Sequence, residues 1–151
     1  MEIDERIESR VRAAFGAAIG QDGDDLVAAL EGLDEQGSQE ALGLGLTVVE
    51  FVLRDAFGDE PTIAELSTEA SEMREDLPRL LELVDQSDVV TFLAAVARGD
   101  TSLGGLGAKD VGWLTFVCGG YLLDTRGLPD QTWWEYLNEI WQAVSDRPAA
   151  E

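Results

Sequence analysis

The chain has 151 residues, 45% of them hydrophobic, long enough to bury a core without disulfide or metal staples, and a single domain is expected. Its 31 acidic residues against 10 basic ones give a formal charge of −21, a field that repels DNA, RNA and anionic membrane surfaces and attracts a basic partner. It contains no histidine, which removes Ser-His-Asp and Cys-His catalysis, His-Glu-x-x-His zinc sites and the Glu-x-x-His ligands of di-iron bundles.

The first stretch, from Met1 to Ile19, places Ile3, Ile7, Val11, Ala14, Phe15 and Ala18 at three- and four-residue steps and reads as an amphipathic helix. Its acidic start is unlike a secretory leader, and with neither leader nor apolar anchor the cytoplasm is the expected compartment. After Gly20-Gln-Asp-Gly23, Asp24 or Asp25 is expected to cap a short helix over Leu26 to Leu33. Asp22-Gly-Asp-Asp25 lacks the twelve-residue calcium-loop pattern, so capping is its assigned role.

Residues from about Ser38 to Phe57 form the first apolar, glycine-bearing helix, stopped by Gly58-Asp-Glu-Pro61. Glu50 lies inside it, four residues before its expected ion-pair partner Arg54. Thr62-Ile-Ala-Glu65 is a capping box opening a helix with Ile63, Leu66, Ala70 and Met73 as its apolar stripe. Pro78 breaks the chain before a short helix over Arg79 to Val84, and a further helix is expected over Val89 to Arg98.

Thr101 to Ala108 carries Gly104, Gly105 and Gly107 and reads as a connector. The segment Leu103-Gly-Gly-Leu-Gly-Ala-Lys-Asp110 fails the spacing of a phosphate-binding loop, although Lys109 at a helix start is able to meet an anion. Asp110 is then expected to cap the second apolar helix, to about Thr125. Val111 to Leu123 bears no charge, so that helix must be enclosed by others; it is too short to span a bilayer, which needs roughly 20 apolar residues. Cys118, the single cysteine, sits within it as a structural thiol. The last helix is expected from about Asp130 to Ser145, with a fraying tail over 147–151.

No segment alternates with period two, so the fold class is all-α: a compact bundle of six to seven helices occupying residues 1–146. An internal repeat is a further reading. Leu46-Thr-Val-Val49 aligns with Leu114-Thr-Phe-Val117, and Pro61 with Pro129, giving halves of about 20–76 and 85–145. The two glycine-bearing helices would then pack together, with Gly43, Gly45, Gly112, Gly119 and Gly120 allowing close approach.

With no catalytic, cofactor or metal motif, the primary functional expectation is a non-enzymatic interaction domain (an adaptor, inhibitor, immunity-type protein or nucleic-acid mimic) for a protein with a basic surface. Trp134, Tyr136, Trp141 and Asp130 are its candidate interface, which would equally serve a homodimer. The alternative is a small-ligand sensor with a pocket between the two apolar helices, lined by Phe51, Trp113, Phe116 and Tyr121. A carboxylate-only metal enzyme using Glu50 or Asp124 ranks last.

Overall fold

The computed structural model describes residues 3–145, which form seven α-helices and no strand. Met1, Glu2 and the tail from Asp146 lie outside the described residues. Helix α1 (Glu5–Ile19) buries Ile7, Val11, Ala14, Phe15 and Ala18, the stripe its periodicity predicts. The Asp4 carboxylate caps it by accepting from the Arg6 N–H at 2.9 Å.

Helix α2 (Gly23–Leu30) starts and ends earlier than the sequence pattern implies. Asp22, not Asp24 or Asp25, is the cap, accepting from the Asp25 N–H at 3.0 Å. The other two aspartates fall in the first turn, where they complement the helix dipole. Helix α3 (Glu35–Phe57) also begins before Ser38. Asp34 accepts from the Gly37 N–H at 2.7 Å, which makes the residues ahead of Ser38 the opening turn. It ends at Gly58, whose φ of +84° is a conformation that glycine adopts without strain.

Helix α4 (Ile63–Asp76) carries the expected capping box, with Thr62 and Glu65 satisfying each other's backbone N–H. It buries Leu66, Ala70 and Met73, but Ile63 is exposed beside an open cleft between the end of α3 and the end of α5. No helix forms over Arg79 to Val84; the segment is a run of turns. The Arg74 guanidinium donates to the carbonyls of Leu81 and Val84 and so fastens these turns to α4.

Helix α5 (Gln86–Ala97) follows, and a single 3₁₀ turn at Leu103–Gly105 interrupts the connector. Helix α6 (Ala108–Arg126) begins at Gly107, so Asp110 lies in its first turn and does not cap it. Helix α7 (Trp133–Ser145) starts after Thr132, not at Asp130, behind a second reciprocal Thr–Glu cap: the Glu135 N–H donates to Thr132 and the Thr132 N–H to Glu135.

Helices α3 and α6 pack against each other at the centre; α1 lies against both, α5 and α7 contact both, and α4 lies on α5. One apolar cluster draws on all seven helices. Contacts also run crosswise at one end: the last residue of α6, Arg126, pairs with Glu69 of α4, and Tyr136 in the first turn of α7 donates to Asp55 in the last turn of α3 at 2.6 Å.

The glycines divide by environment. A Cβ at Gly45 would lie 2.6 Å from the Thr115 methyl group, so this is where α3 and α6 need a glycine. Gly119 and Gly120 face α1 instead: a Cβ at Gly119 would meet the Phe15 ring at 2.5 Å, and one at Gly120 the Phe15 carbonyl at 3.0 Å. Gly43 and Gly112 have nothing within 4 Å of a Cβ, so of the five glycines expected to bring the two central helices together only Gly45 does so, and Gly119 and Gly120 admit α1.

Candidate functional sites

Two surface regions combine exposed apolar side chains with distinctive charge. The first is the end of the bundle where α3 and α6 terminate and α4 and α7 begin. The crosswise bonds assemble it, and the Arg126 guanidinium lies 4.8 Å from the centre of the Phe57 ring. Ile63, Leu128 and Trp134 are exposed here, Leu128 to 69% and Trp134 to 49%. Asp55, Asp59, Glu60, Asp130 and Glu135 are exposed on the same chain segments. Two nearby guanidinium groups are spent within the chain, Arg126 on Glu69 and Arg54 on Glu50 at 3.3 Å, while Arg98 borders the cleft beside Ile63. Both connections thus carry exposed carboxylates and exposed large apolar side chains.

The residues expected at this interface separate. Trp134 is exposed, its ring set edge-on to Trp133 with centroids 5.8 Å apart, and Asp130 is exposed beside it in sequence. Tyr136 and Trp141 are buried. Trp141 donates its indole N–H to Glu8 at 3.0 Å, and Glu8 also takes Arg12, which reaches Asn138. Helix α7 therefore buries a wider aromatic face than its Leu137-Ile140-Val144 stripe implies, because α1 and α3 each supply a carboxylate for the polar tip of a ring. Burial, and then the hydrogen bond to Asp55, push the Tyr136 phenol above its ordinary value, and burial followed by Asp76 does the same to Tyr121.

The four aromatic residues expected to line a ligand pocket also part company. Phe116 is core, its ring 5.5 Å from that of Phe15 and against the Gly45 backbone, so it fills the space between α3 and α6 where the pocket was expected. Tyr121 is buried, donating to Asp76 at 3.0 Å. Phe51 borders a shallow cleft with Glu50, Arg54 and Asp55 on the outer side of α3. Trp113 alone reaches an apolar groove.

That groove is the second region, of about 670 Å³, walled by α2, the 78–84 turns and the first two turns of α6. Its lining includes Leu26, Val27, Leu30, Leu80, Leu83 and Trp113. Leu83 is 98% exposed and so forgoes the roughly 1.5–3 kcal/mol that burial of a leucine side chain supplies. The walls are held from behind. Arg10 of α1 donates to the carbonyls of Ala29 and Glu31 and fixes the end of α2. Arg74 grips the turn segment, and the Trp113 indole N–H ties α6 to it through the Leu80 carbonyl at 2.6 Å. Gly23 lets the Trp113 ring lie against α2, 3.3 Å from where a Cβ would be. Sequence periodicity shows none of this, since the groove depends on a turn segment that reads as helix.

The buried titratable groups serve the scaffold. Glu69 is 2% exposed, and one of its carboxylate oxygens takes Arg126 while the other has no hydrogen-bond partner. Burial, and then the nearby Glu69 charge, push the Cys118 thiol up to about 12, which removes it as a nucleophile at neutral pH. Among the described residues no three of His, Cys, Asp and Glu converge in a metal-binding group, and no helix is long and apolar enough to cross a membrane. Asp124 is exposed and Glu50 half-buried beside Arg54. Comparison of the chain with family models, curated proteins and solved structures finds no match.

Proposed function

We propose that the protein is a non-enzymatic interaction domain whose acidic end receives a protein with basic and apolar groups on one surface. The observation that carries this reading is the exposure of Ile63, Leu128 and Trp134 on the α3–α4 and α6–α7 connections and the helix starts they lead into, which also carry exposed carboxylates and where Arg54 and Arg126 are already paired. Exposed aromatic and aliphatic anchors supply the desolvated centre of an interface, and a carboxylate rim steers and selects a cationic partner in a salt-dependent way. The crosswise bonds between α4 and α6 and between α7 and α3 support reading the scaffold as a duplicated three-helix unit, α2–α4 and α5–α7, with this surface at the junction of its halves.

The test is affinity capture from native extract at low and high salt, comparing wild type with the paired substitution Leu128→Ser and Trp134→Ala. Both side chains project into solvent, so the scaffold is expected to survive. A stoichiometric basic protein that wild type holds at low salt, releases at high salt, and that the variant fails to hold supports the proposal. An unchanged set of bound proteins refutes it. Light scattering on the same two proteins checks self-association: a wild-type dimer that the substitutions dissociate would assign the surface to a second copy of the chain.

A further inference from the structure

We propose that the groove between α2, the 78–84 turns and α6 binds a free anionic amphiphile, an alkyl or aromatic monocarboxylate whose apolar body lies against Leu26, Leu30, Leu80 and Trp113 and whose carboxylate meets Arg79 and Lys109. The volume of about 670 Å³ lies within the range of roughly 300–1,000 Å³ typical of small-molecule sites. The groove is preformed, because Arg10, Arg74 and the Trp113 indole each tie one wall to a neighbouring element. A ligand there would cover Leu83 and Val27, the two exposed large apolar side chains away from the acidic end.

Charge decides the class of ligand. Of the basic residues described, six are engaged by acceptors of the chain itself: Arg6, Arg10, Arg12, Arg54, Arg74 and Arg126. Arg79, Arg98 and Lys109 have no ion-pair or side-chain hydrogen-bond partner among the described residues, and two of these three line this groove. Glu31 and Asp110 line it as well, so its formal charge is zero in a molecule of −21. At physiological salt the Debye length is about 8 Å, so distant carboxylates are screened while a cation in contact with the ligand is not. The groove is thus locally neutral in a strongly negative molecule, and its two cations without an acceptor in the chain are the groups that favour an anion there. Charge-assisted hydrogen bonds to a desolvated carboxylate are the stronger kind and supply that preference.

The experiment is calorimetric titration at physiological salt with decanoate, decylammonium and decanol, each below its aggregation limit, with the Trp113 indole N–H resonance reporting occupancy of this groove. Decanoate is expected to bind one-to-one and shift that resonance, with decylammonium weaker by about tenfold or more. The paired substitution Arg79→Glu and Lys109→Glu is expected to weaken decanoate by about the same factor while leaving decanol unchanged, which shows the groove intact; Arg98→Glu is expected to leave decanoate unchanged. Decylammonium binding as tightly as decanoate, or decanoate binding indifferent to the charge reversal, would overturn the proposal. So would sedimentation of the protein with phosphatidylglycerol vesicles in place of saturable decanoate binding, which would assign the cations to a lipid surface. Neither Leu128 nor Trp134 lines this groove, so success or failure here is independent of the proposal for the acidic end.

Discussion

Two glycines on the same helix, Gly43 and Gly45, should respond in opposite directions to the same substitution. Alanine in a helix interior is favoured over glycine by about 1 kcal/mol. At Gly43 a methyl group meets nothing within 4 Å, so Gly43→Ala is expected to keep that whole gain and raise Tm by about 2–4 °C. At Gly45 the added Cβ falls 2.6 Å from the Thr115 methyl and 3.2 Å from the Phe116 ring. Neither neighbour can yield cheaply. The Thr115 hydroxyl is tied to the Val111 carbonyl at 2.6 Å, and the Phe116 ring lies against Phe15 in the sealed core. Overpacking of this kind costs about 1–3 kcal/mol, which outweighs the propensity gain and leaves Gly45→Ala destabilised by about 1 kcal/mol. The two variants should therefore differ by about 2 kcal/mol, or about 4–8 °C in Tm, in thermal and urea unfolding of each. Adding Thr115→Ser to Gly45→Ala removes the clashing methyl but keeps the hydroxyl, and should recover most of the loss. Equal shifts for the two alanine variants would refute the argument, because propensity alone would then account for both.

Three further outcomes follow from the buried and capping groups. Cys118, sealed in the core with its thiol raised to about 12, should resist a thiol reagent at pH 8 in the native protein and react at once in urea; rapid native labelling would show that α6 opens. Arg126→Leu should cost about 3 kcal/mol or more by stranding the buried Glu69 carboxylate, whereas Arg126→Leu combined with Glu69→Leu should recover a large part of that loss; a double variant no better than the single would contradict it. Glu65 and Glu135 are held below their ordinary carboxyl value of 4.5, first by the backbone N–H and then by the hydroxyl of their capping threonines. Because the unfolded chain binds these protons more readily, the stability they contribute is fully present above pH 4.5 and lost as pH falls through the lowered values. The urea midpoints of Glu65→Gln and Glu135→Gln should lie below wild type at neutral pH and converge on it in acid; parallel curves would show that the caps carry no charge-dependent stability.

What the chain determines locally was legible without a structure. Three- and four-residue periodicity in α1, the Thr62–Glu65 cap and the uncharged run around Cys118 all describe short-range geometry, and the helices form where those signals stand. Thr132-Trp-Trp-Glu135 carried the same cap signal, at the position where α7 begins. The late boundaries of α2, α3 and α6 share one cause. Asp22, Asp34 and Gly107 open their helices before the first apolar residue, so a boundary drawn from hydrophobic spacing falls late.

Only the tertiary structure decided which groups share a space. Apolar periodicity reports that a side chain leaves water, not which neighbour receives it; nothing local distinguishes Gly45, filled by Thr115, from Gly43, open on one side. Likewise Tyr136 and Trp141 have the composition of an exposed anchor, and they are buried because Asp55 and Glu8, 81 and 133 residues away, accept their polar atoms. The 78–84 segment has helical residues but forms turns, which Arg74 holds through the Leu81 and Val84 carbonyls, and Leu83 lies uncovered at the groove. Helix and cap are short-range bargains between residues a few positions apart; the acidic end and the groove depend on long-range pairings that exist only once the chain has closed on itself.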